Sequence, residues 1–268
     1  MKKRMDMNRI AQISVFIIIA VFLVGGVLIT FFLTKKTNSF NGEFSSDAQV
    51  QAQFDEIRNS IADCMKFTSE DAVEMIGIQG GYYLAPKSNF DLGWAFIPYY
   101  YNSGKFSMPS DVEIEKQLGM YVDDNLKSCF DEFDYPSFKL DYFIKSLTHA
   151  KIDKQGVSFN IDMPISISKE SKVFTLQLRD NDVKIESKLY SMLEVAKYVI
   201  NSHKEDSEYI CISCVDEMVK ERGLYFDMLN FDDGASTLYV ISQNTTEIPP
   251  IAFEFLNKYP VKMPTSLV

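Results

Sequence analysis

The stretch Val157–Ser168, VSFNIDMPISIS, alternates apolar and polar residues without a break. Val157, Phe159, Ile161, Met163, Ile165 and Ile167 are apolar; Ser158, Asn160, Asp162, Pro164, Ser166 and Ser168 lie between them. Side chains of a strand point alternately to its two faces, so this period of two predicts a strand with one face buried. Pro164 has no amide hydrogen to give a ladder and marks a sheet edge or bulge. Turn residues bracket the stretch, DKQG at 153–156 and SKES at 168–171. Further along, VFTLQL and DVKIES read as strands, so an antiparallel meander is expected.

On both sides of this region the period becomes helical. Val50, Phe54, Ile57, Ile61 and Cys64 share one helical face, behind a capping box of Ser46 and Gln49, and a short second helix is expected over 69–77. Ser110 and Glu113 form another capping box ahead of Ile114, Leu118, Val122, Leu126 and Cys129. SKLYSMLEVAKYVINSHK (187–204) predicts a third helix, and VDEMVKER a short one ending at Gly223. LYFDMLNFDDGASTLYVISQN reads as a hairpin turning at Asp232-Asp233-Gly234, and IAFEFLNKY as a last strand. Residues 77–110, rich in Gly, Pro and aromatics, read as a loop or irregular hairpin. Trp94, Tyr99, Tyr100 and Tyr101 there make a candidate aromatic contact patch for glycan or protein, packing onto the core being the alternative. There is no alternating βαβ pattern and no clear domain break.

The first forty residues decide cellular placement. Ile10–Thr34 carries no charge, and about 20 apolar residues suffice to cross a bilayer as a helix. The expected organisation is a basic cytoplasmic segment 1–9, a transmembrane helix 10–34, a polar linker 35–46 and an extracytoplasmic domain 47–268. The fold class expected is thus α+β, an N-terminal transmembrane helix followed by a mixed ectodomain with antiparallel sheet and several amphipathic helices. Lys2, Lys3, Arg4 and Arg9 precede the span and only Lys35 and Lys36 follow it, which orients the N-terminus inward. Membrane lipid is the partner expected for 10–34.

The stretch NRIAQISVFIII resembles the leader of archaeal type IV pilin-like proteins, in which a small residue and then Gln open the apolar helix. The resemblance covers about 35 residues and implies a processing site between Ala11 and Gln12. Ile10 replaces the usual basic residue and Phe16 the usual acidic one, so poor processing is expected. The resemblance also extends to archaeal single-span surface proteins, and it implies no activity.

Residues 1–36 hold six of the 27 basic and one of the 37 acidic residues, which leaves 21 basic against 36 acidic and a net charge of −15 beyond them. Such a surface repels nucleic acid and suits basic partners or plain solubility. Four cysteines lie in this part, where an oxidising compartment favours disulfides. Cys64 and Cys129 sit on the apolar faces of two helices and are expected to staple them; Cys211 and Cys214, spaced C-x-x-C, then close on each other. A redox pair, a zinc site and free core thiols are the competing readings. His149 and His203 read as surface residues, too few for a three-histidine metal centre. The DND at 180–182 lacks the Gly and Glu of a calcium loop. Asp131, Glu132, Asp134 and Asp141 form a local acidic cluster. Asn244 opens a glycosylation sequon. No cofactor is expected.

The function expected is a non-enzymatic, membrane-anchored extracytoplasmic protein in envelope structure, adhesion or assembly, with other envelope proteins as partners. The alternatives are an extracytoplasmic thiol oxidoreductase, a carboxylate-based hydrolase and a pilin-like filament subunit.

Overall fold

The computed structural model describes residues 46–142, 146–169, 172–177, 182–206, 209–231, 233, 235–243 and 251–259. The chain divides into two units, Met1–Gln53 and Phe54–Val268. The described part of the first is the opening of helix α1; everything else described belongs to the second.

The α+β class with antiparallel sheets is observed, but the membrane-spanning helix placed at its head is not. Among the described residues, no helix is long and apolar enough to cross a membrane. Helix α1 (Ser46–Ile78) has the length, yet it carries charges from Asp55 to Glu74 along its outer face. Residues 10–34 lie outside the described residues.

Helix α1 runs unbroken through the point where a second helix was expected to start. Thr68 and Ser69 turn their hydroxyls back onto the carbonyls of Cys64 and Met65 at 2.9 and 2.8 Å. This i−4 bonding satisfies the side chains inside the helix and lets both be buried. Helix α2 (Asp111–Asp131) begins as expected: the Ser110 hydroxyl accepts the Glu113 amide at 3.2 Å. The two helices run antiparallel in register. Ser60 meets Tyr135, Cys64 meets Cys129, Asp71 meets Tyr121, and Gly81 abuts Ile114.

Three sheets follow. The largest has the order β1 (Asn89–Asp91), β2 (Phe96–Asn102), β12 (Ala252–Lys258), β11 (Ser236–Gln243), β10 (Leu224–Phe231), with β3 (Lys105–Phe106) also on β2. Its β12–β2 junction is parallel and the others antiparallel. The second is β4 (Lys139–Tyr142), β7 (Pro164–Lys169), β8 (Lys172–Gln177), and the third β5 (Leu147–Asp153), β6 (Gly156–Asp162), β9 (Val183–Glu186). The alternating stretch that predicts one strand is therefore two strands in different sheets. The switch falls at Met163–Pro164, and Pro164 takes the first position of β7, where it tolerates its missing donor.

The large sheet is strongly curled. Its outermost strands would lie about 19 Å apart if it were flat, yet the rings of Phe90 on β1 and Phe231 on β10 meet edge to face at 4.7 Å. They close over Ile97, Tyr99, Leu238 and Leu256. The other face is covered by helix α3 (Leu189–Glu205), which also touches β5 and β6 and so joins the third sheet to the first. Helix α4 (Ile212–Arg222) packs on α3 and β10. It ends at Gly223 in the left-handed conformation (φ 61°), and the Lys188 ammonium donates to the carbonyls of Arg222 and Gly223 at 2.9 and 3.0 Å. A cation there meets the negative end of the helix dipole.

Helix α2 lies directly on β5. A Cβ at Gly119 would sit 2.4 Å from the carbonyl oxygen of Thr148. Alanine is the better helix former by about 1 kcal/mol, so propensity alone favours Gly119→Ala. The close approach reverses the sign: the substitution is expected to lower the urea midpoint by the equivalent of about 1–3 kcal/mol. A raised midpoint would show that α2 and β5 are further apart than described.

Candidate functional site

The four cysteines form two bridges and none is free. Cys64 and Cys129 have Cα atoms 6.0 Å apart across α1 and α2. Cys211 and Cys214, 5.2 Å apart, form the local bridge. The first is the N-cap of α4, and its sulfur accepts the Cys214 amide at 3.3 Å. Tyr209 and Ile212 beside it are exposed. The sulfurs do not converge, and among the described residues no group of three or more His, Cys, Asp or Glu could hold a metal.

The aromatic patch is largely dissolved into the core. Trp94 is 73% exposed at the tip of the β1–β2 turn, but Tyr99, Tyr100 and Tyr101 are 7%, 0% and 4% exposed. Both faces of this sheet are covered, so consecutive residues can all be buried, but in a regular strand they face opposite ways, and two neighbours on one face need an irregularity. The β2–β12 register supplies one: Tyr99 pairs with Leu256 and Tyr101 with Asn257, leaving Tyr100 between them. Tyr99 joins the curled face, while Tyr100 and Tyr101 point to the helix side. The Tyr100 hydroxyl donates to the Gly80 carbonyl at 2.7 Å, and burial holds its pKa well above the usual phenol value.

His203 is 3% exposed and lies in the interior, contrary to its surface reading. Residues 189, 193, 196, 200 and 203 continue one buried face of α3, a spacing that the polar neighbours of His203 mask in the sequence. Its Nε2 lies 2.7 Å from the Tyr259 hydroxyl, which is 2.8 Å from that of Tyr239. Tyr101 stacks over the imidazole. Burial lowers the pKa of His203, and the Asp206 backbone and carboxylate pull against it. Burial raises the phenols of Tyr239 and Tyr259. His149, on β5, is exposed as expected.

Two carboxylates of the expected acidic cluster are taken up by local partners. Asp131 pairs with Lys127 and Tyr142, and Asp141 with Lys139. An open groove of about 830 Å³ runs beside the β5–β6 turn and β9. Its lysines 154, 184 and 188 alternate with Asp153, Asp182 and Glu186, so neither charge dominates. Asn244, Ala11 and Gln12 lie outside the described residues.

The least expected surface is β10. It is eight residues long and closes one end of the large sheet, and among the described residues it pairs only with β11. Tyr225, Met228 and Leu229 are 54%, 41% and 51% exposed. Asp227 is exposed, and it shares a cross-strand row with Val240 and the half-buried Glu254. Neither carboxylate has a hydrogen-bond or ion-pair partner among the described residues. Burial raises the pKa of Glu254. The sequence signal for this edge was available: LYFDMLNF contains no Lys, Arg or Pro, the residues that usually guard an open edge.

No family model matches the chain, and no solved structure does. A dynein heavy chain-like protein 2 of Plasmodium falciparum is 28% identical over 122 residues, 44% of this chain and 2% of that protein. A likeness covering so little of that protein shows no family.

The lowered pKa of His203 has a pH consequence. A group whose folded-state pKa is depressed withholds protons that the unfolded chain binds, so stability falls as pH drops below about 6.5, the ordinary histidine value. The unfolding free energy should decrease between pH 7.5 and pH 5.5, and less steeply in His203→Gln. Equal slopes in urea titrations of the two proteins would show that His203 does not titrate differently on folding.

Proposed function

We propose that residues 47–268 act outside the cytoplasm as a non-enzymatic interaction domain of the cell envelope, assembling with other envelope proteins. The supporting observation is the pairing of all four cysteines, above all the Cys64–Cys129 bridge between two helices, with Cys64 buried and Cys129 half-buried, which suits a chain matured in an oxidising compartment. The exposed apolar edge of β10 supports the interaction part of the reading. The net charge of −15 beyond residue 36 speaks against a nucleic-acid partner.

A second reading, thiol oxidoreductase, gains one observation. Cys211 caps the N-terminus of α4, where the helix dipole favours a thiolate, and it is only partly buried beside exposed Tyr209 and Ile212. Acidic Asp216 and Glu217 in the following turn oppose that effect.

Trapping thiols with acid in living cells, followed by alkylation with a heavy maleimide, tests the compartment. All four cysteines should resist labelling until reductant is added. Four labelled thiols without reductant would contradict the extracytoplasmic reading. Equilibration with glutathione separates the two readings: structural bridges stay oxidised at potentials to below about −300 mV, whereas oxidoreductase pairs reduce between about −120 and −270 mV.

A further inference from the structure

We propose that β10 is the docking edge for an extended segment of a partner protein, which sets a basic residue opposite Asp227 and apolar residues to either side of it. The inference rests on the interaction reading above and names its partner chemistry. Strand β10 has one hydrogen-bonding side occupied by β11 over Leu224–Phe231, and no backbone hydrogen bond from another described residue reaches its other side. A strand edge of this kind presents a row of amides and carbonyls that another chain can pair with.

Side chains on both faces of the edge favour an apolar guest. Tyr225 and Leu229 stand on the curled face, opposite Ser242 and Leu238, and Met228 on the helix face, opposite Tyr239. All three are substantially exposed. An added strand would place alternate residues beside each set, covering apolar surface on both sides at once.

Charge selects the guest. Asp227 is the only charged residue in β10, and it lacks a partner among the described residues. Glu254 lies two strands away in the same row, also without a partner, and Asp233 is exposed in the turn that follows. The Asp227 row is therefore negative, while the cations Lys258 and Lys188 stand at the Phe231 and Leu224 ends of the strand, so a Lys or Arg directly across from Asp227 complements the middle of the edge. A second copy of this chain is the poorer occupant: antiparallel self-pairing centred on β10 brings two Asp227 carboxylates together, and each chain carries a net charge of −10.

The test uses the purified full-length chain and two fluorescent seven-residue peptides, Thr-Val-Val-Lys-Val-Val-Thr and the same peptide with Glu at its centre. By fluorescence anisotropy the Lys peptide should bind about three- to tenfold more tightly than the Glu peptide. Asp227→Lys, on an exposed side chain, should reverse that order, and the Lys peptide should slow hydrogen exchange in β10. Absence of binding, equal affinities, or an order unchanged by Asp227→Lys would overturn the proposal. Self-association abolished by Leu229→Lys would make a second copy the occupant and overturn it equally. These outcomes are independent of thiol trapping in cells, so failure here leaves the compartment reading intact, and failure there leaves this one.

Discussion

The Cys64–Cys129 bridge fixes the antiparallel pair of α1 and α2, and much of the rest is hung on that pair. The bridge closes a loop with a sequence separation of 65, and removing that freedom from the unfolded chain is worth about 4 kcal/mol by the chain-entropy estimate. Its site matters as much as its magnitude, because Ser60–Tyr135 and Asp71–Tyr121 lie to either side of it on the same seam. Helix α2 then meets β5 across Gly119, and Glu115 accepts the Ile152 amide at 3.0 Å, which fixes the third sheet. The end of α1 serves the first sheet: Gly77 approaches the Ala252 carbonyl, and Gly80 receives the Tyr100 hydroxyl.

Helix α3 ties the two sheets together from inside, and its one ionisable core residue, His203, lies among tyrosines. The His203, Tyr239 and Tyr259 cluster lies where β2, β11 and β12 adjoin, and Tyr100, Phe253 and Phe255 pack beside it on the helix face. The curled face behind is sealed mainly by ring contact between Phe90 and Phe231. Beyond that contact β10 continues outward with its apolar residues uncovered, which makes one end of the sheet chemically unlike the other. The opposite end is guarded by the short strand β1 and by the turn that carries Trp94.

Local patterns reported local structure well. The Ser110 cap, the α3 face, the β10–β11 hairpin and the cysteine pairing were all legible, because each depends on residues whose spacing reveals a shared face or turn. Most of what failed depends on partners or strand order that no local spacing reveals. The three tyrosines read as a surface patch because nothing near them announces a register shift against a strand 156 residues further on (Tyr101 beside Asn257 breaks the period, and both lie in the core). The second helix expected over 69–77 is a continuation of α1, because Thr68 and Ser69 bond back to carbonyls four residues earlier, which leaves no sequence signature. The exchange of sheets at Pro164 hides inside an unbroken alternation, since both strands bury the same parity of residues. The open edge was visible only as missing Lys and Pro, and its significance required the strand order.

The central claim is that the α1–α2 staple, and not the local C-x-x-C bridge, sets the stability of the whole domain. Urea unfolding of Cys64→Ala/Cys129→Ala and of Cys211→Ala/Cys214→Ala, each against the parent chain, measures this most directly. The first pair should lose about 4 kcal/mol and the second about 2 kcal/mol or less, from the loop lengths alone. An equal loss, or a larger one in the second pair, would contradict the claim and move the keystone of the fold to the start of α4.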